Sequence, residues 1–377
     1  MTDRQQFTRL IPKALPLLAV AATVGAVATT ALGAASAPPT TKQLIATAGQ
    51  VAGAPTWCGT KPITLGIADA YGTNGWSAAS RALIRSEAAR CKNVKQIVTI
   101  GNGDLQKSLG DINNLVSQGA NAIAVVASLG PAELPAIKSA TAAGTKVVVW
   151  AAPVGGTVGT DYVSYIDWDS GYAATKKAEW MAKALHGQGN VVFLGGPAGN
   201  PVSLGEVAGF AKVFAKHPKI KLLTGTKDFA VTNWDPALAQ KVMAAMLAKY
   251  PKIDGVLMED GQGAVSAIRA FKTAGRPLVP IATLEANALG CAYTQYKPAN
   301  PGLQIATVSA RNWLGRLAAR RAIAAAEGIP NTEPSMFKLG LYEDSMAGKA
   351  PKCDKRFGPD AFLSNQISPA ALKEWSK

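Results

Sequence analysis

Apolar and polar positions along this chain switch between two rhythms, and the first switch sets the pattern for the rest. Residues 61–91 read KPITLGIADAYGTNGWSAASRALIRSEAARC. Within them, 63–69 is a short apolar run rich in β-formers, with Pro62 before it and a Gly/Asn loop behind it. From Asn74 onward Ala, Leu and Ile recur at helical spacing among Arg and Glu, as in a helix packed on a sheet. The intervening loop, 70–76, lies at the carboxyl edge of the strand, where open parallel sheets hold their ligands.

The same unit recurs. Strands are predicted over 94–100, 122–127, 146–150 and 162–166, with helices over 105–118 and 131–143; the Gly/Pro-rich APVGGTVGT interrupts the rhythm after Trp150. The pattern restarts after Asp167-Trp168-Asp169, with helices over 171–185, 204–216, 236–249, up to 274, and 314–327. Strands alternate with them over 190–194, 220–224, 255–258, 278–283 and 304–308. Strand–helix alternation at this spacing implies right-handed crossovers and parallel sheets. The expectation is an α/β protein of two similar Rossmann-like halves meeting near Asp169, whose strand-end loops face each other across a cleft. The tail, 329–377, has weak periodicity and is expected to wrap the surface.

Composition changes this picture at the amino terminus. Arg4, Arg9 and Lys13 precede an uncharged stretch, 14–37, of mainly Ala, Leu and Val that ends in small residues. That is the outline of a secretory signal peptide over 1–37; an uncleaved anchor is the competing reading, disfavoured by the weak hydropathy of so much Ala, Thr and Gly. Residues 38–59 read as a flexible leader. Export makes the four cysteines, Cys58, Cys91, Cys291 and Cys353, candidates for two disulfides. Of the three pairings, the return of the first helix favours Cys58–Cys91, which leaves Cys291–Cys353 to tie the tail to an irregular segment. A metal site is the rival reading, but there is no CxxC and the two histidines, His186 and His217, lie elsewhere. No metal or cofactor is expected.

The 377 residues are too many for one ordinary core. With 48% hydrophobic and 17% charged residues, the chain has the make-up of an α/β protein. Its formal net charge of +15 is spread over amphipathic helices without blocks, which points to a solvated surface and away from nucleic acid. The loop GGPAGN lacks the GxGxxG spacing of a dinucleotide site, and no GxSxG elbow, HExxH or P-loop is present. No catalytic constellation emerges, so an enzyme is not expected.

The order of motifs ITLGIAD, DINNLVSQGANAIAVVAS, AGTKVVVWAAP, YIDWDSGYAATKKAEWMAKAL, GNVVFLGGPAGN and KIDGVLMEDGQGA resembles a class I periplasmic solute-binding protein of the ribose-binding type, the receptor of an ABC importer. The resemblance covers about residues 61–330. It implies a periplasmic, monomeric clamp joined by a three-strand hinge. Lobe one would comprise 60–168 and 311–334; lobe two would comprise 169–310 and 335–377. It implies a sugar or related polar ligand and an inner-membrane ABC permease as partners; presentation to a chemoreceptor or sensor kinase is the alternative, and a secreted enzyme a more distant one. Carried over position by position, the ligand contacts would be Asn74, Trp76, Ser128, Trp150, Asn200, Trp234, Asp260, Glu285 and Arg311. Trp faces stack on the C–H face of a sugar, and carboxylates and amides bond its hydroxyls. Trp150-Ala151 stands where sugar receptors of this type often carry Asp-Arg, which departs from simple ribose recognition. Each residue also has a plainer reading: a tryptophan as a lid on the core, Asp260 as a helix cap, Arg311 as a surface charge. Asp167 and Asp169 read as hinge and cap residues.

Overall fold

The computed structural model describes residues 55–72 and 74–376. The expected signal segment and the leader as far as residue 54 lie outside them. The first half runs β1 (Ile63–Asp69), α1 (Gly75–Ala88), β2 (Val94–Ile100), α2 (Leu105–Ser117), β3 (Ala122–Val126), α3 (Leu134–Ala142), β4 (Lys146–Trp150) and β5 (Ser164–Trp168). The second half runs α4 (Ser170–Ala184), β6 (Gly189–Gly195), α5 (Pro201–Phe214), β7 (Ile220–Leu222), β8 (Ala230–Val231), α6 (Pro236–Lys249), β9 (Gly255–Met258), α7 (Gly261–Thr273), β10 (Ile281–Leu284), α8 (Asn287–Tyr296) and β11 (Ile305–Val308). The chain closes with α9 (Leu314–Glu327), β12 (Met336–Phe337), β13 (Leu341–Asp344) and α10 (Pro369–Trp375).

Two sheets result. The first has the order β12-β5-β4-β3-β1-β2 and the second β13-β11-β10-β9-β6-β7, with β8 added beside β6. All pairings are parallel except β13 on β11, where the chain returns antiparallel. β3 is buried at every position, as the run AIAVV requires of a strand covered on both faces. Helices flank both faces of each sheet: one core of the first sheet lies under α9 and α1 and the other under α2 and α3. The second sheet is covered by α6–α8 on one face and by α4 and α5 on the other.

Strand-to-helix turns are set by capping side chains. Asn74, Asp104, Asp169, Asn200, Asp235 and Asp260 each accept a hydrogen bond from a backbone N–H in the first turn of the helix that follows. These acceptors satisfy N–H groups that have no partner inside the helix. Both disulfides form as expected, Cys58–Cys91 with Cα atoms 5.3 Å apart and Cys291–Cys353 with 4.5 Å.

Several expectations need correction. Cys291 lies within α8, not in an irregular segment; Asn and Gly at its start and its short length hid the helix. The end of the leader is not loose, because Trp57 and Cys58 are buried in the first lobe. The tail does not stay with lobe two. β12 pairs with β5 in the first sheet, so the third crossing comes after Phe337, and α10 packs on α1. Residues 354–361 bond to the second lobe at Asn287, whereas Asn365 bonds to Asn312 and Trp313 at the start of α9. The tail therefore crosses the hinge once more, and four passages join the lobes in place of the three expected.

Candidate functional site

A cavity of about 340 Å³ lies between the carboxyl edges of the two sheets. Lobe one contributes Tyr71, Asn74 and Trp76 after β1, Ser128 after β3, and Ala151 and Ala152 after β4. Lobe two contributes Asn200 after β6, Trp234 and Asp235 ahead of α6, and Glu259, Asp260 and Gln262 after β9. Arg311 reaches it from the second crossing, and Asp360 and Phe362 from the tail.

Four of these residues are helix caps and lining residues at once. Asn74, Asn200, Asp235 and Asp260 each spend one side-chain oxygen on a helix N-terminus. The other polar atom of each side chain remains for a ligand, and the converging helix ends add their positive poles. The cap reading of Asp260 is therefore correct without removing it from the cavity. Burial pushes the Asp260 carboxyl up to about 6, opposed by N–H donors at Gly263 and Gln262. Glu259 is held in the wall, accepting from Gly196 N and from the Ser203 hydroxyl.

Arg311 is buried, not a surface charge. Its guanidinium lies 5.1 Å from the Trp76 ring centre and 4.6 Å from that of Trp168. Its Nε donates to Asp167 at 3.3 Å and a terminal nitrogen donates to Ala151 O at 3.3 Å. Burial raises the Asp167 carboxyl and the Arg311 charge pulls it back. Trp76 is fixed in turn by Nε1, which donates to Ala310 O at 2.8 Å. Ala151, Asn233, Trp234 and Arg311 all have left-handed backbone, with φ of 89°, 54°, 52° and 58°. Such conformations cost energy in non-glycine residues and cluster where surrounding structure holds a site in shape.

Two expected contacts do not reach the cavity. Trp150 is fully buried in the core of lobe one and backs Trp76 edge to face, ring centres 4.9 Å apart. It lies on the β4 face shared with Val148, where its ring packs under α9 beside Gly315, and Ala151 and Ala152 beyond the strand end line the cavity instead. Glu285 is also buried behind the wall, accepting from Ala310 N, Ser364 N and the Ser364 hydroxyl. It ties the tail to the second crossing. The other seven, Asn74, Trp76, Ser128, Asn200, Trp234, Asp260 and Arg311, all line the cavity.

Sequence reasoning missed Tyr71, Glu259, Gln262, Asp360 and Phe362. Tyr71 and Glu259 sit in strand-end loops already singled out, so that signal was present. Nothing local marks Asp360 and Phe362, which arrive from the tail. The lining carries four carboxylates, Asp235, Glu259, Asp260 and Asp360, against the single Arg311. The basic balance of the chain is therefore a surface property and does not extend to the cavity. Among the described residues no group of three or more His, Cys, Asp or Glu is placed to hold a metal ion.

Comparison with known families matches residues 66–330 to the periplasmic binding protein domain. The chain belongs to the periplasmic binding protein family. Within this family it is similar to the xylitol-binding protein of Mycolicibacterium smegmatis, 30% identical over 199 residues, which are 52% of this chain and 55% of the relative. The galactofuranose-binding protein YtfQ of Escherichia coli is 24% identical over 216 residues, 57% of this chain and 67% of that protein. The chain thus matches little more than half the length of the first relative. Among solved structures, the Caulobacter myo-inositol binding protein superposes with a TM-score of 0.67 at 20% identity, over 77% of this chain and 96% of that one, which shows the shared fold. Periplasmic binding proteins of this kind are ribose-binding-protein-like receptors and not enzymes. The family match stops before the tail that supplies Asp360 and Phe362.

Proposed function

We propose that the mature chain is the extracytoplasmic substrate-binding component of an ABC importer and captures a neutral sugar or polyol in the cleft between its lobes. The observation that carries this reading is the lining itself. Three aromatic side chains, Tyr71, Trp76 and Trp234, share one cavity with helix-capping amides and carboxylates drawn from both lobes. Flat aromatic faces suit the C–H face of a polyol, and the free oxygens and nitrogens of the caps suit its hydroxyls. At about 340 Å³ the cavity is at the small end of ligand sites, which suits a small molecule. Four carboxylates against one arginine, itself neutralised by Asp167, disfavour an anion. The relatives named for xylitol and galactofuranose support the same class.

The lobes touch across the cleft mouth. Tyr71 Oη donates to Asn233 O at 2.7 Å, and the Tyr71 and Trp234 rings meet edge to face at 5.3 Å. These contacts support a clamp that closes over its ligand and is released by hinge motion. In this reading the chain acts as a periplasmic monomer exported by residues 1–37, and an inner-membrane permease receives the closed form.

Thermal unfolding of the chain from Pro38 onward, against sugars, polyols and organic acids, tests the proposal. A micromolar ligand at millimolar concentration stabilises the native state by about 4 kcal/mol, a shift of several degrees. Stabilisation by an organic acid and by no polyol overturns the neutral-ligand reading. Uptake of the stabilising sugar by cells with and without the gene separates import from sensing: unchanged uptake removes the importer role.

A further inference from the structure

The tail between Cys353 and α10 lies outside the matched family region, yet it forms one side of the cavity. It is built in, not draped. The Asn287 amide donates to the carbonyls of Asp354, Phe357 and Gly358 at 2.9–3.2 Å, and its oxygen accepts from Asp354 N. Helix α8 has no side-chain cap; its first N–H groups, of Asn287 and Ala288, donate instead to Ala361 O and Pro359 O at 2.8 and 3.1 Å. The tail comes so close to α8 that a Cβ at Gly290 would sit 1.9 Å from Lys352 O. The Cys291–Cys353 disulfide holds the start of the same segment.

This docking aims two side chains at the site. Phe362 is buried and gives the cavity an apolar face. Asp360 stands exposed at the rim, between the first turns of α1 and α7. A Cβ at Gly75 would lie 2.3 Å from Asp360 Cβ, so glycine is required there for the tail to approach. On the other side Gln262 Nε2 donates to Asp360 Oδ1 at 2.8 Å and to Pro359 O at 2.7 Å. The carboxylate is thus oriented from lobe two through Oδ1, packs against Gly75 of lobe one, and belongs to a residue that lines the cavity.

We infer that Asp360 is a specificity-determining ligand contact, supplied by the tail, and that it accepts hydrogen bonds from ligand hydroxyls while Phe362 closes the apolar side. This rests on the binding reading above and adds a third source of contacts to the two lobes. An exposed, once-bonded carboxylate beside an aromatic wall selects a hydroxyl-bearing ligand over a deoxygenated one, because it offers a charged acceptor to an O–H donor.

Calorimetric titration of xylitol, D-xylose, D-ribose and myo-inositol into the chain from Pro38 onward, and into its Asp360→Ala and Asp360→Asn variants, tests it. The expected result is at least tenfold weaker binding in Asp360→Ala, partial recovery in Asp360→Asn, and unchanged melting temperature of both without ligand. Asn keeps the acceptor for Gln262 but replaces the second acceptor oxygen with an NH2 donor and loses the charge. Full recovery in Asp360→Asn therefore assigns the residue to tail docking and overturns the contact, whereas incomplete recovery at unchanged melting temperature supports it. Binding by the parent chain with less than a threefold change in Asp360→Ala overturns the assignment and leaves the binding reading standing. A parent chain that binds none of the four overturns the binding reading, and the assignment falls with it.

Discussion

Trp76 and Trp150 touch, but only Trp76 meets the cavity, and their substitutions separate the two roles. Trp150→Ala removes a fully buried ring and should cost about 3–5 kcal/mol of stability, read by chemical denaturation. Trp76→Ala, half-buried at the cavity wall, should lose most ligand affinity at a much smaller cost in stability. Equal losses of stability would remove Trp76 from the site. Trp76 lies in the first turn of α1 and Trp150 ends β4, and the residue type alone does not say which ring meets the cavity. The packing of α9 on one face of β4 decides it by enclosing the Trp150 ring. The same holds for Glu285, whose carboxylate is consumed by Ala310 and Ser364 from segments 25 and 79 residues away.

At the scale of elements, the helix caps and the tail behave differently. The caps Asp169 and Asp260 were legible because Asp directly before an apolar helical run has one local reason to be there. The same reason holds for Asn74, Asp104, Asn200 and Asp235, whose capping the structure adds. That four of these caps also face the cavity follows from the parallel topology, which gathers helix starts at one sheet edge. The tail had no such signal. Its 3-10 turns and two-residue strand carry little periodicity, and its course is set by bonds to Asn287, Glu285 and Asn312 far away in sequence. Replacing Cys291 and Cys353 together by Ala should lower stability by about 2–4 kcal/mol and make the chain cleavable between 352 and 366 under limited proteolysis. If cleavage there is unchanged, the bonds of Asn287 alone hold the segment.

For the whole molecule, two buried carboxyls without a cationic partner dictate a pH dependence. Burial pushes Glu133 and Glu285 up to about 7, against the N–H and hydroxyl donors around them. Their folded values lie above the unfolded value near 4.5, so the native state binds the extra protons. Their contribution to stability is therefore fullest below the unfolded value and is lost as pH rises through about 7. The melting temperature should fall between pH 5 and 7.5, and Glu133→Gln should flatten that slope. A slope unchanged in the variant assigns it to other groups. Closure has its own test: Tyr71→Phe removes the hydrogen bond across the cleft mouth, about 0.5–1.5 kcal/mol, and should speed ligand release a few-fold in stopped flow. An unchanged release rate would show that this bond plays no part in holding the clamp.

The sequence alone determined the strand–helix alternation, the two halves, the first disulfide and the capping roles of Asp169 and Asp260, because each rests on periodicity or on contacts close in the chain. Only the tertiary structure decided that Trp150 is enclosed under α9 while Trp76 meets the cleft, that Glu285 is a strut, that the lining is acidic in a basic protein, and that the tail crosses the hinge to enter the site. Those outcomes depend on packing and on pairings dozens to hundreds of residues apart, where the local pattern of apolar and polar residues carries no information.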